Sequence, residues 1–167
     1  HVGSVCQMNT GSSLAGRPSL GAWTTYGLGS ANDNLPTFVV LTDAAEVLGG
    51  PKNWSSGFLP ATYQGTQFRN DGTPIFHLAP PETISEQQQR SKLDFLTALN
   101  RRFSADKLED SDLEARTQSY ELAYRMQSAA PEAVELSKEN EPTRQLYGLD
   151  DPTTSRFGAN CMLARRL

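Results

Sequence analysis

His1 stands directly before a helix-like run, Val2 to Thr10, closed by Gly11. The first backbone N–H groups of such a helix have no partner within it and face an approaching anion. A nucleophile placed there gains from the same groups, which stabilise negative charge on a phosphoryl or sulfuryl group in transfer. The alternative is a histidine with no role. The second histidine, His77, sits in Ile75-Phe76-His77-Leu78, which reads as a short strand with a half-buried edge histidine. The two are 76 positions apart, and no carboxylate–histidine motif occurs at helical spacing. The sequence therefore assembles no multi-ligand metal site of its own.

A second group lies in the long connection from residue 49 to residue 74. Asn53, Trp54, Ser55, Ser56 and Arg69 combine amide, aromatic and cationic side chains, a set suited to a sugar or an ester. The competing reading is a loop pinned to the core by Trp54 and Phe58. Tyr120, Tyr124 and Met126 read as helix packing, and Arg101-Arg102 and Arg165-Arg166 as solvated pairs. Gly27-Leu28-Gly29 lacks the third glycine of a dinucleotide fingerprint, and neither Gly-Lys-Ser/Thr nor Gly-x-Ser-x-Gly occurs.

The elements that must carry these residues follow from periodicity. Pro18 suits the first turn of a helix through Trp23 and Tyr26, stopped by Gly27 and Gly29. Residues 35–43 read as a strand; its unbroken run Phe38 to Leu41 suits a parallel sheet covered on both faces. Ser85 with Gln88, and Ser111 with Glu114, make capping boxes for two helices. The first carries Leu93, Leu96, Leu99 and Phe103; the second carries Tyr120 and Tyr124 and should end before Pro131. Thr143 caps a short helix ending at Gly148. Ser155 starts the last helix, with Phe157, Cys161 and Ala164 on one face.

Composition sets bounds. The chain has 167 residues, 37% of them hydrophobic, and a net charge of -4. The elements above read as α/β, and the composition suits a globular chain rather than a disordered one, with no basic stripe for nucleic acid. No apolar run approaches the roughly 20 residues of a bilayer span. Cys6 and Cys161 alone make neither a disulfide framework nor a thiolate zinc site. Eleven of the 13 glycines, but 7 of the 34 charged residues, lie in residues 1–72. The division is thus a Gly-rich sheet and loop part, 1–78, and a helical part, 79–167, of a single body. The opening at His1 and the uncapped helix at Leu167 suggest an internal fragment of a larger domain.

Several stretches together resemble one family. Asn9-Thr10-Gly11-Ser12, Gly16-Arg17-Pro18-Ser19-Leu20-Gly21-Ala22-Trp23 and Asn34-Leu35-Pro36-Thr37-Phe38-Val39-Val40-Leu41 are similar to domain of unknown function family 1501. So are Asn53-Trp54-Ser55-Ser56-Gly57-Phe58-Leu59-Pro60-Ala61, Ser119-Tyr120-Glu121-Leu122-Ala123-Tyr124-Arg125-Met126-Gln127 and Leu146-Tyr147-Gly148-Leu149-Asp150. The resemblance covers essentially the whole chain. It implies larger, exported bacterial (periplasmic) proteins of the alkaline phosphatase and sulfatase superfamily. The implied fold is an incomplete alkaline-phosphatase-like α/β fold, with a partial parallel sheet and many helices.

In that superfamily a nucleophile opens a helix that ends in Thr-Gly, and counting back from Thr10-Gly11 places it at His1. Ser, Thr or a modified Cys is usual there, so histidine departs from the pattern and puts the ordinary covalent route in question. The implied function is metal-dependent hydrolysis of a phosphate or sulfate ester, on a small molecule or a glycan. His1 would sit at the reaction centre, with Asn53, Trp54 and Arg69 shaping the substrate pocket. Zinc, calcium or magnesium would be held by ligands elsewhere in the full protein, none in this chain, which alone should be inactive. The rival implication is an exported module that binds a sulfated glycan or a cell-surface partner without turnover.

Overall fold

The computed structural model describes residues 1–43, 46–69, 74–75, 78, 83–104 and 111–167. Among them the fold is mixed α/β. The helices are α1 Val2–Thr10, α2 Leu20–Leu28, α3 Glu86–Ser104, α4 Ser111–Val134, α5 Glu141–Leu146 and α6 Ser155–Arg166. Strands β1 Val39–Val40 and β2 Thr66–Gln67 pair in parallel, Val39 opposite Thr66 and Val40 opposite Gln67. Backbone bonds from Thr66 to Phe38 (2.8 Å) and from Phe68 to Val40 (3.0 Å) close the ladder. Short 3₁₀ turns occupy Gly50–Trp54, Ala61–Tyr63 and Leu136–Lys138. Among the described residues no helix is long and apolar enough to cross a membrane.

The expected strand over 35–43 is therefore only two residues long, and its partner comes from inside the long connection. The strand expected at 75–78 falls partly on Phe76 and His77, outside the described residues. Two glycines explain how the pair seats itself. A Cβ at Gly21 would lie 2.3 Å from the Phe38 ring, and one at Gly65 would lie 2.7 Å from the Val40 side chain. The Phe38 ring thus lies directly on the α2 backbone. One core joins both parts of the chain: Phe68, Met126, Ala130 and Leu163 are buried together, with Leu35, Val39, Leu122 and Val134 packed around them.

Local rules hold at most helix ends. Gly11 takes the left-handed conformation (φ 72°) and its N–H donates to Gln7, ending α1 where expected. Ser85 and Gln88 exchange both bonds of the capping box; the Ser111 side chain lies outside the described residues. Helix α2 begins later than expected. Ser19 is its N-cap, accepting from the Ala22 N–H at 3.3 Å, while Pro18 lies buried just outside and Gly29, not Gly27, stops the helix. Asn140 rather than Thr143 caps α5, accepting from the Thr143 N–H at 2.9 Å.

Helix α4 runs through Pro131 to Val134. An interior proline costs about 3 kcal/mol. Met126 and Ala130 before it and Val134 after it all pack in the core, and that burial holds the helix together across the break.

Two expected faces are corrected. Helix α3 leaves Leu96, Leu99 and Phe103 substantially exposed, because it meets α4 through polar pairs instead. Arg90 grips Glu121 with two bonds (2.7 and 2.5 Å), and Asn100 donates to Thr117 at 3.0 Å. Helix α6 buries Gly158, Met162 and Leu163, while Phe157 is 62% exposed. Nor are Arg165 and Arg166 simply solvated. Both bind the Glu139 carboxylate at 2.6 Å, and Arg166 also donates to the Ala133 and Glu132 carbonyls.

These pairs give the fold a pH dependence. Hydrogen bonding to Arg90 holds Glu121 below the usual carboxylate range, and bonds to Arg166 and then Arg165 do the same for Glu139. A carboxylate with a depressed folded pKa stabilises above its unfolded value of about 4.3, and that contribution is lost as pH falls through the folded value. The melting temperature should therefore fall as pH drops from 5 towards 3. Glu139→Gln should lower it at pH 7 and flatten the decline. A decline of unchanged depth in the variant would contradict the assignment.

Candidate functional site

His1 is the N-cap of α1, and its side chain makes no capping bond. Its carbonyl accepts from Ser4 (3.1 Å) and Val5 (3.3 Å), leaving the Val2 and Gly3 amides without an acceptor inside the helix. The histidine is exposed, and Cys6 in the middle of the helix is buried. Helix α1 packs against the Gly50–Trp54 turn, which carries Asn53 and Trp54. The structure thus brings the helix of His1 onto the turn of two other predicted site residues.

Both of those residues are buried, Asn53 at 4% and Trp54 at 7% exposure. Trp54 is held by backbone: its carbonyl accepts from Gly65 at 2.9 Å, and its Cβ stands 3.1 Å from where a Gly65 Cβ would lie. Asn53 donates through Nδ2 to the Leu48 carbonyl at 2.8 Å. Flipping the amide would set two acceptors face to face, so its orientation is fixed. Oδ1 then remains buried with no partner among the described residues. An unmet buried acceptor costs about 1–3 kcal/mol, and a donor from outside the described residues would relieve it.

Arg69 lies apart. It follows β2, four residues beyond Gly65 in the sequence. It is exposed, and its N–H donates to the Pro74 carbonyl at 2.8 Å. His77 lies outside the described residues. Among the described residues no group of three or more His, Cys, Asp or Glu is placed to hold a metal ion. Among the described residues the donor set at this site does not fit a divalent cation.

Two surface grooves escaped the sequence reading. One, of about 430 Å³, runs between residues 32–38, Thr62 to Thr66 and α4, and is lined by Asp33, Thr37, Gln64, Arg116 and Arg125. The other, of about 400 Å³, lies at the far end of α1 from His1, between Thr10–Ser12, Arg17, Trp23 and Phe58. Phe58 is 61% exposed, so of the pair read as core pins only Trp54 is one. Trp23 was legible only as a helix position, because its pairing with Phe58 spans 35 residues.

A family model described as protein of unknown function (DUF1501) matches residues 1–167. The chain belongs to this family. No curated protein and no solved structure matches it. The DUF1501 assignment spans the parallel strand pair, both grooves and the helix that opens on His1, so each is part of the family's matched region.

Proposed function

We propose that this chain forms part of a metal-dependent phosphate- or sulfate-ester hydrolase with an alkaline-phosphatase-like fold, exported from a bacterial cell. The observation that carries the reading is α1: it opens on an exposed histidine with two free amides and is docked on the turn holding the unsatisfied Asn53 Oδ1. The free amides favour negative charge beside the imidazole, which can accept a transferred group or move a proton. Asn53 Oδ1 would accept from a donor brought by substrate or by a neighbouring segment.

The architecture is consistent with a larger α/β body. Parallel strands are ordinarily covered on both faces, yet this sheet has two strands. The required zinc, calcium or magnesium would be held by ligands elsewhere in the full protein rather than in this chain. Turnover of aryl phosphate or aryl sulfate by the polypeptide as its host produces it should be abolished by chelator and restored by one of these metals. Absence of both turnover and bound metal would overturn the hydrolase reading.

A second reading is favoured by the exposed rings of Trp23 and Phe58 beside Arg17. In it the protein binds a sulfated glycan or a cell-surface partner without turnover.

A further inference from the structure

The geometry points to the groove between Arg17, Trp23 and Phe58 as a binding site for a sugar ring bearing an anionic group, a sulfate or a carboxylate. Trp23 and Phe58 stand edge to face with centroids 5.7 Å apart and an interplanar angle of 72°. Tyr26 packs on Trp23 at 6.1 Å, and Tyr63 on Tyr26 at 5.3 Å, so each ring is braced by the next. Despite that bracing, Trp23 is 45% and Phe58 61% exposed. Rings held in place while their surface stays open meet a ligand without first losing side-chain freedom. A pyranose offers such a surface its apolar C–H face and keeps its hydroxyl rim in water.

The polar lining selects within that class. Among the described residues Arg17 is the one charged residue of the groove; it is exposed and makes no hydrogen bond or ion pair with them. A guanidinium takes a carboxylate or sulfate through two parallel bonds. Thr10 Oγ1 is already committed to the Cys6 carbonyl at 2.8 Å, whereas Ser12 Oγ accepts from Leu14 and keeps its proton to donate. In a chain of net charge -4 this cation is a local attraction rather than part of a basic surface. The groove begins at Thr10, about 13 Å along α1 from His1. The inference deepens the binding reading and rests on it; it requires no turnover.

Calorimetry of the protein as its host produces it, with dextran sulfate oligosaccharide against unsulfated dextran, tests the site. Sulfated oligosaccharide should bind about tenfold or more tightly than dextran. Arg17→Gln should erase that preference, and Phe58→Ser should weaken both ligands by about tenfold. Arg125→Gln, in the other groove, should change neither. Both side chains are exposed, so neither variant removes core packing. Sulfate-dependent binding that survives both variants would overturn this groove while leaving the binding reading intact. No binding of either ligand, with Tyr26 and Trp23 still packed by near-ultraviolet circular dichroism, would overturn both the groove and the sulfated-glycan reading.

Discussion

Gly158→Ala should destabilise the fold by about 3 kcal/mol or more, lowering the melting temperature by roughly 6–12 °C. The added Cβ would lie 1.9 Å from the Tyr147 carbonyl oxygen and 3.0 Å from its carbon. Those are backbone atoms, so no rotamer change relieves the overlap. Helix α6 would have to lift, and with it Met162 and Leu163, which are 0% and 3% exposed. Its other anchors would move as well: Asn160 to the Thr42 carbonyl at 3.0 Å, and the arginine pair on Glu139. Gly27→Ala is the matched control. No atom lies within 4 Å of its added Cβ, and an alanine in that helix should stabilise by about 0.5–1 kcal/mol. Equal melting temperatures for the two variants would contradict the packing of α6 on residue 147.

Gly57→Ala should damage the aromatic groove more than it damages the fold. Gly57 has φ 58°, and its added Cβ would lie 2.4 Å from the Pro18 nitrogen and 2.5 Å from the Arg17 carbonyl carbon. The left-handed conformation and the overlap together should cost about 2–4 kcal/mol. What moves is the seam where the Ser19 N–H meets the Ser55 carbonyl at 3.0 Å, which sets Phe58 beside Trp23 and Arg17. In the folded fraction, affinity for dextran sulfate oligosaccharide should fall about tenfold, whereas Gly158→Ala should leave it unchanged once folded. Calorimetry well below each variant's melting temperature separates the two. An unchanged affinity in Gly57→Ala would show that this seam does not build the groove.

The contrast between these glycines shows what the amino-acid order could disclose. Helix ends were legible because caps are local: Gly11 after Thr10, and Ser85 with Gln88, lie within a few positions of the atoms they satisfy. Strand β2 was not legible, since Thr66-Gln67 has neither an apolar run nor an alternation. Its place comes from Gly65 fitting against Val40, Phe38 and Trp54, all distant in sequence. The buried face of α6 departs from its apolar pattern for a related reason. Phe157 and Cys161 carry the apolar signal, but the closest approach is made by Gly158, which has no side chain to advertise it.

The candidate site divides in the same way. The position of His1 before a helix closed by Thr10-Gly11 was readable, and the structure gives that helix the expected bounds. Whether Asn53 and Trp54 face a ligand was not, because burial depends on which elements close over the Gly50–Trp54 turn. Composition marked the turn as unusual without separating a satisfied core tryptophan from a contact residue.

The most direct measurement is hydrolysis of aryl phosphate and aryl sulfate by the host-produced polypeptide and its His1→Ala variant, both metal-loaded and matched in melting temperature. If the imidazole at the head of α1 takes part in the reaction, turnover should fall by about a hundredfold or more in the variant, the usual scale for a lost nucleophile or general acid–base group. Equal turnover in the two proteins would contradict the placement of His1 at the reaction centre.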